Sequence, residues 1–324
     1  AYIKWVEMRA PDQVEACRVD TPPAWQGTPR HRQPRGTTTP YVFQGPEHLT
    51  HTAFVADETI RFLEDAQAGP FLAVAGFYAP HAPINPPQRF VDLYDPAQMP
   101  LPIRNPGEDR TGLSDDDWRR VVAFYYALVS HIDDQIGRIL AAVDALGLRE
   151  NTLILFTSDH GEHLGDHGLV AKGPPGLDSC ARVPLIASCP ARFGPLGVRN
   201  ELIEAVDLAP TILDMCGVQV PPVMQGRSFR GLLEGRGYTP RRSAFIEHRV
   251  PFGTSWKTVV TQEFKYAASN GGDELLFDLA HDPHELHNVA AAPECAGALA
   301  EMRAELLRRW FDVERQYPLR TAAY

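Results

Sequence analysis

Side chains able to bind metal or handle protons concentrate in the stretch Ser158-Asp159-His160-Gly161-Glu162-His163-Leu164-Gly165-Asp166-His167-Gly168. Asp159 and His160 are adjacent, on a turn that Gly161 lets bend tightly. A carboxylate beside an imidazole can supply two ligands to one divalent cation. The same pair also fits a plain turn in which Asp159 caps the segment that follows. His163 and His167 stand four apart, the spacing of a helical zinc pair. They sit in H-L-G-D-H rather than H-E-x-x-H, and two nearby glycines oppose a rigid ligand helix, so no zinc-protease site is expected. Two further residues stand out: His81, between the prolines of Ala79-Pro80-His81-Ala82-Pro83, and Lys172, in Ala171-Lys172-Gly173. Taken alone, the first reads as a loop histidine and the second as a solvated surface charge.

The positioning elements are legible around these residues. Asn151–Ser158 is a continuous apolar run, as in a strand covered by helices on both sides. Its end delivers Asp159 and His160, and ligands of open α/β sheets bind outside the carboxyl ends of strands. Pro70–Phe77 reads as another buried strand, delivering His81 into a Pro-rich loop. Between them, Ser114 followed by Asp115, Asp116 and Asp117 is a strong helix start. Trp118, Val122, Tyr125, Val129, Ile132, Ile136, Ile139 and Val143 then recur at three- and four-residue steps to a stop at Gly147. A shorter helix is expected over about Thr52–Glu64, with Phe54, Ile60 and Leu63 on one face, another strand over Val183–Ala187, and a short helix over Leu208–Cys216. Strand, helix and strand in this order indicate an α/β sheet. Residues 20–47, rich in Pro, Gly, Thr and Arg, read as a long surface excursion. Beyond about Leu233 the texture changes to short β-like runs (Ser243–Glu247, Trp256–Thr261, Phe264–Ala268, Glu274–Leu279), followed by a helix over Ala296–Val313. The expected division is 1–235 as an α/β domain and 236–324 as a small antiparallel sheet with one packed helix.

A chain of 324 residues with 44% hydrophobic and 22% charged residues is ordinary globular material. Its formal net charge of −10 argues against a nucleic-acid partner, which wants a basic face. It does not argue against a small anion held in a local basic pocket. No apolar run approaches the roughly 20 residues of a membrane span, so no membrane partner is expected. Five cysteines at scattered spacings make no disulfide framework or paired zinc motif. They slightly favour a reducing, cytoplasmic setting and otherwise leave the compartment open.

SDHGEHLGDHGLVAKGPP followed by RVPLIASCP resembles the central region of type I sulfatases, members of the alkaline phosphatase superfamily. PFLAVAGFYAPHAP and YYALVSHIDDQIGRIL resemble the family's strand-to-histidine segment and long helix. VDLAPTILDMCGV with MQGRSF, and LFDLAHDPHELHNVA, resemble its C-terminal landmarks. Together these cover most of His51–Val289, in family order. The resemblance implies an alkaline-phosphatase-like α/β fold, a mixed sheet sandwiched by helices, with a small C-terminal antiparallel sheet plus helix. It implies hydrolysis of a small-molecule or saccharide sulfate ester by a formylglycine made from cysteine or serine, beside a calcium ion. It gives Asp159 and His160 the part of metal ligands. Lys172 becomes the lysine that contacts the sulfate and leaving-group oxygens. His81 becomes the histidine that contacts the sulfate group and protonates the leaving oxygen. A cation, a lysine and an imidazole converging on a sulfuryl group suit the charge that develops there.

The chain also departs from the family pattern. The family opens with a strand ending in paired aspartates, then C-x-P-S-R or S-x-P-S-R, then a basic segment. No aspartate pair following an apolar strand occurs before His81, and no cysteine heads C-x-P. Ser188-Cys189-Pro190-Ala191-Arg192 fits S-x-P-A-R but follows the metal motif instead of preceding it, so it reads as a chance match, and no nucleophile is assigned. The expectation is a chain that starts inside the catalytic domain and is inactive alone, with an upstream segment or an oligomer partner covering the exposed sheet edge. Two other functions fit the residues: a phosphodiester or phosphonate monoester hydrolase of the same superfamily, and a non-catalytic remnant that binds a partner.

Overall fold

Residues 1–17, 38–66, 69–109, 111–249 and 253–314 are described by a computed structural model. They form two compact units: residues 1–150 with 164–171, and residues 151–163 with 172–324. The expected surface excursion over 20–47 lies outside the described residues as far as residue 37.

The first unit is helical. Its N-terminal helix α1 (Tyr2–Arg9) buries Tyr2, Trp5 and Val6 against Cys17, Phe43 and Leu49. The Tyr2 hydroxyl donates to the Leu49 carbonyl at 2.6 Å, which satisfies a polar tip inside an apolar cluster. Helix α2 (His51–Asp65) starts at Thr50, whose hydroxyl accepts from Ala53 N, and buries Thr52, Ala53, Ala56 and Leu63. The short helix α3 (Gln88–Val91) precedes α4 (Asp115–Ala145), 31 residues long. Ser114 and Asp117 close a reciprocal capping box at its start, which satisfies two otherwise orphaned N–H groups.

The buried stripe of α4 is Trp118, Val121, Phe124, Leu128, His131 and Gln135, with Val122 and Val143 also inside. The expected stripe was partly different, and Val129 is exposed. Apolar residues nearly encircle the first half of this helix, so two stripes fit the 3.6-residue period and only the neighbours choose between them. Trp118, Val121, Phe124 and Leu128 pack with Ile84, joined by Leu164 and Val170 from the 164–171 loop. Gly165 in that loop has φ +95°, and a Cβ there would lie 2.8 Å from the Trp118 ring. Both the left-handed backbone and the closeness of the indole therefore require glycine.

The expected buried strand at Pro70–Phe77 is not found. The segment belongs to no strand ladder among the described residues, and Leu72 and Val74 are 72% and 86% exposed. Apolar content shows what a segment could bury, but it cannot supply the hydrogen-bonding neighbour that makes a strand.

The second unit carries the sheets. Strand β1 (Ile154–Thr157) pairs antiparallel with β2 (Leu185–Ser188). It is not covered on both faces as expected, since Phe156, Leu185 and Ile186 are exposed. The short helix α5 (Asp178–Ala181) lies between them in the chain, and α6 (Leu208–Met215) and α7 (Arg230–Leu233) follow. The tail is an antiparallel meander of β3 (Ala244–His248), β4 (Trp256–Val260), β5 (Phe264–Ser269) and β6 (Glu274–Asp278). The register sets Val259 opposite Tyr266 and Tyr266 opposite Leu276. This buried row packs on Leu299, Met302 and Leu306 of α8 (Ala296–Val313). The elements of the tail match those expected from the sequence within a residue or so at each end.

Candidate active site

Asp159 and His160 follow the end of β1 on a turn stitched by its own side chains. Asp159 Oδ1 accepts from His160 N at 3.0 Å, and Ser158 Oγ donates to the His160 carbonyl at 2.9 Å. Gly161 N donates to the Cys180 carbonyl in α5 at 2.7 Å. A Cβ on Gly161 would sit 2.1 Å from the Ser179 carbonyl oxygen, so the turn presses its bare glycine against the helix backbone. His163, buried, has Nδ1 2.8 Å from Ser179 Oγ. Helix α5 thus meets this segment at both Gly161 and His163.

Lys172 Nζ lies 2.8 Å from His160 Nε2. The other ring nitrogen, Nδ1, is 2.8 Å from the Gly161 carbonyl, which can only accept, so it carries the proton of the neutral ring. Nε2 then presents a lone pair to the Lys172 ammonium, and Asp159 Oδ2 lies 3.4 Å from it, where the two acceptors can share a cation but not a hydrogen bond. That tautomer suits an Nε2 that ligates a cation or accepts from a donor. Lys172 is exposed and has three N–H donors. One is directed at His160, which leaves two for the oxygens of an anion.

Asp159 and His160 are the pair expected to hold calcium. One carboxylate and one imidazole fall well short of the roughly six to eight oxygen ligands that calcium takes. Among the described residues no group of three or more His, Cys, Asp or Glu side chains is gathered for a metal. The donor set present here does not by itself make a calcium site.

The structure therefore brings together Asp159, His160 and Lys172, all in the second unit. His81 belongs to the first unit, in an exposed loop after the 70–77 segment. Its ring lies 4.8 Å from that of Tyr78, and its Nδ1 donates to the Ala82 carbonyl at 2.7 Å, so Nε2 is the nitrogen outside that bond. His81 lines a small cavity with His51, Tyr78, Asn85 and His131. Burial holds His51 below the usual histidine range and drives His131 down to about 4. Ser188 pairs with Ile154, at the start of β1, whereas Asp159 follows its far end. Along an extended strand, Ile154 and Thr157 alone are roughly 10 Å apart. The residues that sequence reasoning missed are those beneath the turn, Ser179 and Cys180. The one available signal was Gly161 itself, read for a tight bend when it also marks a close backbone approach.

A family model described as Sulfatase matches residues 15–218, and one described as N-sulphoglucosamine sulphohydrolase, C-terminal, matches residues 165–311. An arylsulfatase of Clostridium perfringens is 34% identical over 291 residues, covering 84% of this chain and 60% of the relative. An N-acetylglucosamine-6-O-sulfatase of Bacteroides thetaiotaomicron is 34% identical over 202 residues, covering 60% of this chain and 35% of the relative. The solved phosphonate monoester hydrolase of Agrobacterium radiobacter superposes with a TM-score of 0.84 at 25% identity, covering 96% of this chain and 69% of that one. The chain thus spans about 60% of the length of the arylsulfatase it matches. The motif order, the α/β architecture and a sulfatase model matched over residues 15–218 lead to one conclusion: the chain belongs to the sulfatase family, within the alkaline phosphatase superfamily.

Proposed function

We propose that this chain carries the Lys172–His160 anion site of a metal-dependent hydrolase of sulfate esters. The observation that carries the reading is the 2.8 Å approach of Lys172 Nζ to His160 Nε2 beside Asp159, inside the segment matched by the sulfatase model. On this reading the two remaining Lys172 donors neutralise sulfuryl oxygens as charge builds on them. Asp159 and His160 contribute two ligands toward a divalent cation, calcium by family resemblance, and other residues complete the set. Bound there, the cation would supply Lewis-acid stabilisation of the sulfuryl oxygens. His81 is proposed separately as the histidine that serves the leaving oxygen, and its Nε2 is the nitrogen not engaged with Ala82. A saccharide sulfate ester is proposed as the substrate class, because one relative is a sulfatase of N-acetylglucosamine.

A titration of inorganic sulfate into the chain tests the site. Binding that is weakened roughly tenfold or more in Lys172→Ala supports the assignment. Equal affinity in the two proteins removes Lys172 from it. The second reading, a phosphonate monoester hydrolase, is favoured by the fold match at TM-score 0.84. Competition between sulfate and phenylphosphonate for the same site separates the two: preferential sulfate binding supports the first, and preferential phosphonate binding the second.

A further inference from the structure

Lys265, in β5, is 1% exposed, on the sheet face opposite the one that packs on α8. Its Nζ donates to the Gly176 carbonyl at 3.2 Å, pairs with Asp178 Oδ1 at 2.5 Å, and forms an ion pair with Glu285. Glu285 is equally buried and adopts φ +58°, a conformation costly for a residue with a side chain. Its Oε2 accepts from Asp178 N at 2.7 Å. Next to this pair, the Thr258 hydroxyl of β4 donates to the Pro175 carbonyl. Gly176 has φ +96°, and a Cβ there would lie only 3.3 Å from Ile246 Cγ2 of β3. Pro175, Gly176 and Asp178 are thus each fastened to the small sheet.

Pro175 and Gly176 lie in the chain between Lys172 and helix α5, and Asp178 is the first residue of α5. From α5 the Cys180 carbonyl takes the Gly161 amide, and Gly161 adjoins His160, whose Nε2 meets Lys172. The circuit closes: Lys172, the 173–177 loop, α5, the Gly161 turn, His160 and Lys172 again. Burying the Glu285 carboxylate with the Lys265 ammonium is costly, and a buried ion pair is weak as a source of stability. A fixed geometry is what such a cluster delivers when all its groups are paired.

We infer that Lys265 and Glu285 are positioning residues for the anion site, clamping the 175–178 segment so that Lys172 and His160 are held at contact distance. The inference rests on the reading of Lys172 and His160 given above, and it adds the C-terminal sheet as the base on which that pair is aligned.

The test uses the full chain and four variants beside the parent: Lys265→Met, Lys265→Arg, Glu285→Gln and Lys172→Ala. Leu306→Ala, in the sheet–helix core but away from the clamp, is the control for lost stability. Two quantities are read, the affinity for inorganic sulfate and hydrogen exchange at the amides of Gly161 and Asp178. Lys265→Met and Glu285→Gln are expected to weaken sulfate binding roughly 10- to 100-fold, as losses behind a primary ligand do. They should also speed exchange at both amides, with Lys265→Arg closer to the parent and Leu306→Ala unchanged in affinity. Parent-like sulfate affinity in Lys265→Met and Glu285→Gln, with binding lost in Lys172→Ala, leaves the site standing and overturns the clamp. If Lys172→Ala binds sulfate as the parent does, the site reading falls and exchange decides the clamp. Faster exchange at Gly161 than in Leu306→Ala then supports it, and unchanged exchange overturns it. Should Lys265→Met fail to fold, Glu285→Gln, which keeps the Lys265–Asp178 pair and the side-chain shape, decides the matter on the same criteria.

Discussion

Replacing Gly161 by alanine tests whether helix α5 holds the turn that carries His160. The added methyl would lie 2.1 Å from the Ser179 carbonyl oxygen, 3.0 Å from its carbon and 3.2 Å from Cys180 Cα. All three are backbone atoms, so no flexible side chain can swing aside. Restoring ordinary contact needs a separation of about 3.5 Å, a shift of about 1.4 Å. A shift of that size breaks the 2.7 Å bond from Gly161 N to the Cys180 carbonyl. Overpacking contributes about 1–3 kcal/mol and the lost bond about 1 kcal/mol. The expected destabilisation of Gly161→Ala is therefore about 2–4 kcal/mol, with weaker sulfate binding because His160 moves with the turn. Gly173→Ala is the matched control: it adjoins Lys172, no atom lies within 4 Å of its Cβ position, and its φ is not positive. It should stay within about 0.5 kcal/mol of the parent. Urea unfolding followed by circular dichroism measures both, with the slopes compared to confirm the same transition. If Gly161→Ala matches Gly173→Ala in midpoint and in sulfate affinity, the close approach to α5 does not position His160, and the reasoning fails.

Acid should weaken the first unit through His131. Its pKa falls from the ordinary 6.5 to about 4 because burial opposes the charged ring, so on acidification the unfolded chain takes up the proton first. Stability is fully present above about pH 6.5 and is lost as pH falls toward about 4, by about 3 kcal/mol; urea midpoints across that range, flattened in His131→Gln, would check it, and an unchanged slope in that variant would refute it. Calcium should bind this chain no tighter than roughly millimolar, since Asp159 and His160 offer too few ligands; a micromolar calorimetric titration abolished in Asp159→Ala would show further ligands. The 324 residues contain neither C-x-P-S-R nor S-x-P-S-R, so aryl sulfate hydrolysis by this chain should stay at background. Turnover that disappears in Ser188→Ala would make Ser188 a nucleophile after all.

Local chemistry carried much of this protein in its sequence. Ser114 and the acidic turn after it set the start of α4 because a capping hydroxyl satisfies N–H groups within its own few residues. The runs of the tail sheet were bounded in the sequence because turn residues such as Asn270-Gly271-Gly272-Asp273 act on their own few neighbours. The DHG turn and Lys172 were visible as residue types in a family order. Where neighbours distant in sequence decide the outcome, the sequence was silent or misleading. Pro70–Phe77 has a strand's composition but no ladder among the described residues. Strand periodicity places Lys265 opposite Tyr266, on what reads as a solvent face. Only the 175–178 segment lying over it turns that lysine into a buried ion-pair partner of Asp178 and Glu285. Gly161 announced a bend, but the helix it touches begins only at Asp178, and the closeness of two backbones is a property of the packed chain rather than of either segment.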